Sequence, residues 1–278
     1  MNYKIEEYER FNSIDEMMKT VKIRPVNKLF LHRQSSRETS NKRFFGTKNY
    51  MEAFNLLANG WEEPVEKIKA GMRKDVKSNV STVKRRPILG ISGFAPHIPN
   101  AILGLPNSMI STERTKQKVK AISIIYSPCV NANWEASEIL DCGITMLNII
   151  NDIEKSGYRI NLYIEAITVV ENNKLFGSCV NVKTYREHLD LRKLAFPLAH
   201  ASMLRRIGFD WLEKSHVQEK SIVRGYGRPI GNEDYNEVKA FYSSSNLLSN
   251  NEYYISAQLI NSCNHDKEKI LESAGISI

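Results

Sequence analysis

The chain has 278 residues, 39 Lys and Arg against 31 Asp and Glu for a formal charge of +8, and an apolar fraction of 42%. It is long and apolar enough to bury a sizeable core, which excludes a wholly disordered, collagen-like or disulfide-scaffold chain. No stretch approaches twenty apolar residues and the first residues lack an apolar signal core, so a soluble protein that stays in the compartment of its synthesis is expected.

Residues 1–20 read as a short polar helix or arm, and Val21 to Thr47 as a mostly irregular basic stretch with one strand at Lys28 to His32. Thr47 is placed to cap a helix whose Tyr50, Ala53, Phe54 and Leu57 share one face, with Gly60 at its C-terminus. A second helix is predicted from Pro64 to Val80, with Val65, Ile68 and Met72 inward. Pro87 to Gly93 reads as a short strand leading into Phe94 to Ser111. That segment, with Pro96, Pro99 and Pro106, is predicted to be an ordered loop packed on the body, because Ile98, Ile102, Leu103, Leu105, Met109 and Ile110 are costly to leave in water.

From Lys118 the periodicity sharpens. Lys118 to Tyr126 reads as a strand covered on both faces, followed by a loop from Ser127 to Ala132 and a long amphipathic helix capped by Asn133 and closed by Gly157. Tyr158 to Val170 and Leu175 to Thr184 read as strands joined by a turn. Leu191 to Lys214 is predicted helical with an interruption at Pro197; Ala201, Leu204, Ile207 and Trp211 face inward, and Arg205 and Arg206 point the other way. Gly225 to Gly231 reads as a loop, Tyr253 to Ile260 as a late strand, and His265 to Ala274 as a closing helix.

Charge is distributed unevenly. Residues 1–120 carry 23 Lys and Arg against 12 Asp and Glu, whereas residues 121–278 carry 16 against 19. A localised positive field suits nucleic acid, so Lys42, Arg43, Lys84, Arg85 and Arg86 are the expected phosphate contacts, with Arg224 and Arg228 as a second set. The four cysteines are too far apart in sequence for a zinc knuckle or a redox pair and read as reduced thiols. No P-loop or hydrolase elbow occurs, and the glycines of Gly225 to Gly231 follow no strand, so no cofactor is expected. His200 sits between apolar neighbours without a recognisable nucleophile and reads as a packed histidine, which leaves a non-enzymatic protein the favoured expectation.

From Ala121 to Glu165 the strand, long helix, strand and antiparallel return resemble the start of a von Willebrand factor A-like domain. Such domains place an Asp-x-Ser-x-Ser metal loop after the first strand. The corresponding positions here are Ser127, Cys129 and Asn131, without the carboxylate, so the resemblance implies a loop that holds no metal and makes a protein or ligand contact. The chain also resembles an uncharacterised family encoded by phages and mobile elements, through Phe45-Gly46-Thr47-Lys48, Ile98-Pro99-Asn100 with Pro106-Asn107-Ser108-Met109, Gly157-Tyr158-Arg159-Ile160-Asn161-Leu162 and Ala199-His200-Ala201-Ser202-Met203-Leu204-Arg205-Arg206. It implies a location in the host cytoplasm or the virion.

The resulting expectation is an α/β protein: a basic, mainly helical module over residues 1–86 and, over 87–278, a largely parallel sheet flanked by helices, of A-domain or Rossmann-like type. Two functions lead, with an enzyme whose site centres on His200 as the third. One is nucleic-acid binding through the basic module. The other is interaction with a phage or host protein, as a virion component or an inhibitor of a host system, through the Ser127 to Asn133 loop and the Pro-rich segment; it extends to oligomers, and neither involves a membrane.

Overall fold

The computed structural model describes residues 3–277 with the exception of 33, 72–84, 115–119, 219, 221, 223–227, 231–234 and 250. In chain order the N-terminal part supplies β1 (Lys4–Phe11), α1 (Ile14–Ile23), α2 (Lys42–Phe45), α3 (Tyr50–Asn59) and α4 (Val65–Gly71). Next come β2 (Arg85–Gly90), β3 (Ala95–Pro96), α5 (Ile98–Ile102) and β4 (Met109–Arg114). The remainder supplies β5 (Ala121–Ser127), α6 (Ala136–Lys155), β6 (Arg159–Val170), β7 (Lys174–Lys183), α7 (Leu191–Ala199), α8 (Phe209–Glu213), α9 (Tyr235–Ser244), β8 (Glu252–Ser256), α10 (Ala257–Ser262) and α11 (Lys267–Ala274).

The main sheet has the order β1-β7-β6-β5-β8, and only the β6–β7 pairing is antiparallel. This is the expected mostly parallel sheet with helices on its faces. The apolar run of β5 is explained by burial on both sides. Ile122, Ile124 and Tyr126 join the core that holds α6 and α7, while Ile125 joins the opposite core with Phe241 and Tyr242 of α9. The second strand, the turn at Asn173 and the return strand form as predicted.

Several local expectations are corrected. Of residues 1–20, expected as a polar helix or arm, those from Ile14 onward are helical, but Lys4–Phe11 is an edge strand whose charges are paired, Glu9 with Arg24 at 2.7 Å and Arg10 with Glu252 at 2.8 Å, so it has no apolar period to read. Residues on both sides of position 86 therefore contribute to the one sheet. The strand expected at Lys28 to His32 is a 3-10 turn over Lys28–Phe30, and the cap of α3 is Asn49, whose Oδ1 accepts from the Glu52 amide at 2.9 Å. Asn49 wins because Thr47 is buried and engaged elsewhere. Glu135, not Asn133, caps α6 through a reciprocal box with Glu138. Pro197 lies inside α7, which ends at His200, and the late strand stops at Ser256, whose hydroxyl caps α10. The helix expected from Pro64 is described as far as Gly71; its continuation to Val80, with Met72, lies outside the described residues.

The largest departure concerns residues 85–114. The strand expected from Pro87 forms as β2, but Phe94 to Ser111, expected as a loop packed on the body, supplies β3, α5 and most of β4, so that a separate antiparallel sheet forms in the order β2-β4-β3. Ile91, Phe94, Ile102 and Leu103 are 80%, 73%, 79% and 72% exposed, and Ile88, Leu89, Ile98 and Leu105 are exposed as well.

Candidate functional site

Helix residues 201–213 lie at the centre of the molecule. Met203–Gly208 forms a π-helical stretch, and every residue from Ala201 to Glu213 is buried. The expectation that Arg205 and Arg206 face solvent is therefore overturned, since both guanidinium groups are almost completely buried. The reason is that residues 36–47 cover the face opposite the sheet. Arg206 donates through Nε to Thr47 Oγ1 at 2.7 Å, through Nη1 to the carbonyls of Ser36 and Glu38 at 3.0 and 2.9 Å, and through Nη2 to the Thr47 carbonyl at 2.9 Å. Arg205 donates to the carbonyls of Phe44 at 2.7 Å and Trp134 at 3.1 Å and stacks over the Phe44 ring. Burial lowers the pKa of both groups, that of Arg205 to about 10. These arginines are structural clamps, and a helix buried all round gives no polar face for sequence reasoning to find.

His200 is held by the same neighbourhood. Its Nδ1 accepts from the Ser202 amide at 3.0 Å, and its ring stacks on Phe196 and meets the edge of Trp61. Gly46, at φ +82°, lies so close that an added Cβ would stand 2.8 Å from Cε1. Burial, opposed by Glu52 and reinforced by Arg206, lowers the imidazole pKa from 6.5 to about 4. Unfolded His200 thus takes up a proton near pH 6.5 and folded His200 only near 4. Stability is expected to fall by about 1–3 kcal/mol as pH drops through that window, and His200→Phe should flatten the wild-type slope in urea unfolding measured at several pH values.

Of the loop residues singled out from sequence, Ser127 and Cys129 are buried and Asn131 is partly exposed. Cys129 Sγ accepts from the Ile167 amide at 3.2 Å and donates to the Glu165 carbonyl at 3.6 Å, and burial raises its pKa to about 12, so it is no ready thiolate. These three residues line a cleft of about 540 Å³ at the carboxyl ends of β5 and β8, with Trp134 and Tyr235 among its aromatics and Ser256, Gln258 and Asn261 among its polar groups. Among the described residues, no charged side chain lines it. Next to Cys129 lies Glu165, missed from sequence because its partners are remote in the chain. Its carboxylate accepts from the hydroxyls of Tyr8 and Tyr242, both at 2.7 Å, and burial raises its pKa despite those bonds. A larger groove of about 880 Å³ is lined by Ile14, Met18, Phe54 and Leu57 and by Lys19, Lys22 and Lys193. Asp210, also in its lining, is occupied by Tyr50, Arg37 and Lys214.

The basic residues are not brought together into one described patch. Lys42 and Arg43 are exposed on α2, with Arg43 paired to Glu135, and Arg228 is exposed. Lys84 and Arg224 lie outside the described residues, as do the side chains of Arg85 and Arg86, whose backbone belongs to β2. Among the described residues, no group of three or more His, Cys, Asp or Glu side chains could hold a metal ion, and no helix is long and apolar enough to cross a membrane. A family model described as a domain of unknown function (DUF7192) matches residues 4–276. No curated protein and no solved structure matches the chain.

Proposed function

The chain belongs to that family, DUF7192, and from this premise we propose that it is a protein-interaction module whose binding surface is the apolar arm of residues 85–114. One observation carries the reading: the arm exposes Ile88, Leu89, Ile91, Phe94, Ile98, Ile102, Leu103 and Leu105 together. Contiguous apolar patches on monomeric proteins rarely exceed a few hundred Å², and larger ones mark contact sites. Ile88 and Leu89, adjacent in β2, point to opposite faces of the sheet, so at about 200 Å² for a fully exposed large apolar residue one face of the arm carries at most roughly 900 Å², the scale of one side of a standard protein interface. The test is a photoreactive benzoylphenylalanine at position 94 in cells that make the protein. Protein adducts at position 94, with none at the exposed control position Tyr185, are expected; an arm that cross-links to nothing would overturn the reading.

Nucleic-acid binding is a second proposal, supported by the exposure of Lys42, Arg43 and Arg228 and by the basic excess of the first 120 residues. Its test is binding of labelled DNA and RNA across a salt series, where affinity that does not fall with salt removes it. We also read the core as A-domain-like. The succession β5, α6, β6 and a reversed β7 supports this, and Ser127, Cys129 and Asn131 then stand where such domains bind metal, without the carboxylate. Kinship with phage and mobile-element proteins, and with it a place in the host cytoplasm or the virion, is proposed on the sequence segments that carry that resemblance.

A further inference from the structure

We propose that the occupant of the arm is the arm of a second copy of this chain, packed face to face in a two-fold symmetric dimer. The inference rests on the interaction reading above and names its partner. Three observations select a second copy. The area is the first: at most roughly 900 Å² of exposed apolar side chain on one face of each arm is what one half of a stable interface requires.

Charge is the second. The net charge of +8 is concentrated in residues 1–120, yet within that stretch residues 87–112 contain no Lys, Arg, Asp or Glu. A symmetric contact sets each residue against the same patch of its partner, and an uncharged patch alone avoids like-charge repulsion there. A phosphate-bearing ligand finds no cation along this stretch.

The third observation concerns the sheet edges. With the order β2-β4-β3, the outer strands are β2 and β3, and each carries a proline, Pro87 and Pro96, that lacks a backbone donor. Extension of the sheet by an added strand is thereby discouraged. Contact through the side chains of the faces and of α5, where Ile98, Ile102 and Leu103 stand in water, is left as the mode of docking.

The test is sedimentation equilibrium of the full chain over a wide concentration range, with Ile102→Asp/Leu103→Asp as the disrupting variant and Met51→Asp as the control. Met51 is exposed on α3, outside residues 85–114. A wild-type and control dimer is expected, with the arm variant shifted at least about a hundredfold toward monomer while its thermal midpoint at low concentration matches that of monomeric wild type. A dimer that persists in the arm variant, or a wild-type protein that is monomeric throughout, overturns the proposal. Where wild type is monomeric but position 94 cross-links to a different protein, the interaction reading stands and the second copy as its partner fails; where position 94 marks nothing, both fail.

Discussion

Replacing Arg206 by methionine is expected to destabilise the fold by about 3–5 kcal/mol, read as a lower urea midpoint with unchanged slope. Arg206 links helix residues 201–213 to residues 36–47 through four hydrogen bonds and stacks over Phe45. Methionine fills much of the volume but leaves the carbonyls of Ser36, Glu38 and Thr47 without this donor in a buried site, where each orphaned group costs about 1–3 kcal/mol. Lysine should recover little, because one ammonium cannot span three carbonyls and the Thr47 hydroxyl in the directions a planar fork does. Neighbouring contacts, in which Ser202 Oγ donates to the Phe45 carbonyl and Ser36 Oγ to Glu213 Oε2, make the segment cooperative with the helix. A loss below 1 kcal/mol would show that residues 36–47 are held mainly by other contacts.

Gly143→Ala is expected to destabilise by about 2 kcal/mol or more, although alanine at an unhindered helix position would stabilise by about 1. Gly143 lies at the crossing of α6 and α7. A Cβ there would stand 2.3 Å from Ala199 Cα and 2.6 Å from the Leu198 carbonyl oxygen. Both are backbone atoms, so no rotamer change relieves the clash and the helices must separate over a tightly packed core. Thermal unfolding of the variant checks it, and a raised midpoint would show that the crossing is looser than this.

The two substitutions also separate what was legible from what was not. Gly143 belongs to a periodic run with Ile139, Met146, Leu147, Ile150 and Ile153, all buried as their spacing predicts. That run, the apolar strand before it and the hairpin after it place the centre of the sheet by pattern alone. The arginine pair defeats the same logic, because its partners in residues 36–47 lie about 160 to 170 residues away and Trp134 lies 71 away, and nothing in the local spacing reveals a cover over that helix face. Glu165 is a similar case, since Tyr8 and Tyr242 reach it from 157 and 77 residues away.

The arm shows the opposite failure. Its apolar residues were expected to be buried because the cost of exposing them is large, and that cost is correct; what it does not specify is which molecule supplies the cover.

The alternation of strands and helices from Ala121 to Thr184, the helix ending at Gly60 and the basic character of the first 120 residues follow from local pattern, because each is written in side chains within a few turns of one another. Long-range contacts alone make Lys4–Phe11 a strand, place Arg205 and Arg206 in the interior and leave the Pro-rich segment exposed. Those outcomes follow from pairing and burial between segments far apart in the chain, where the free energy depends on what a residue meets and not on its neighbours in sequence.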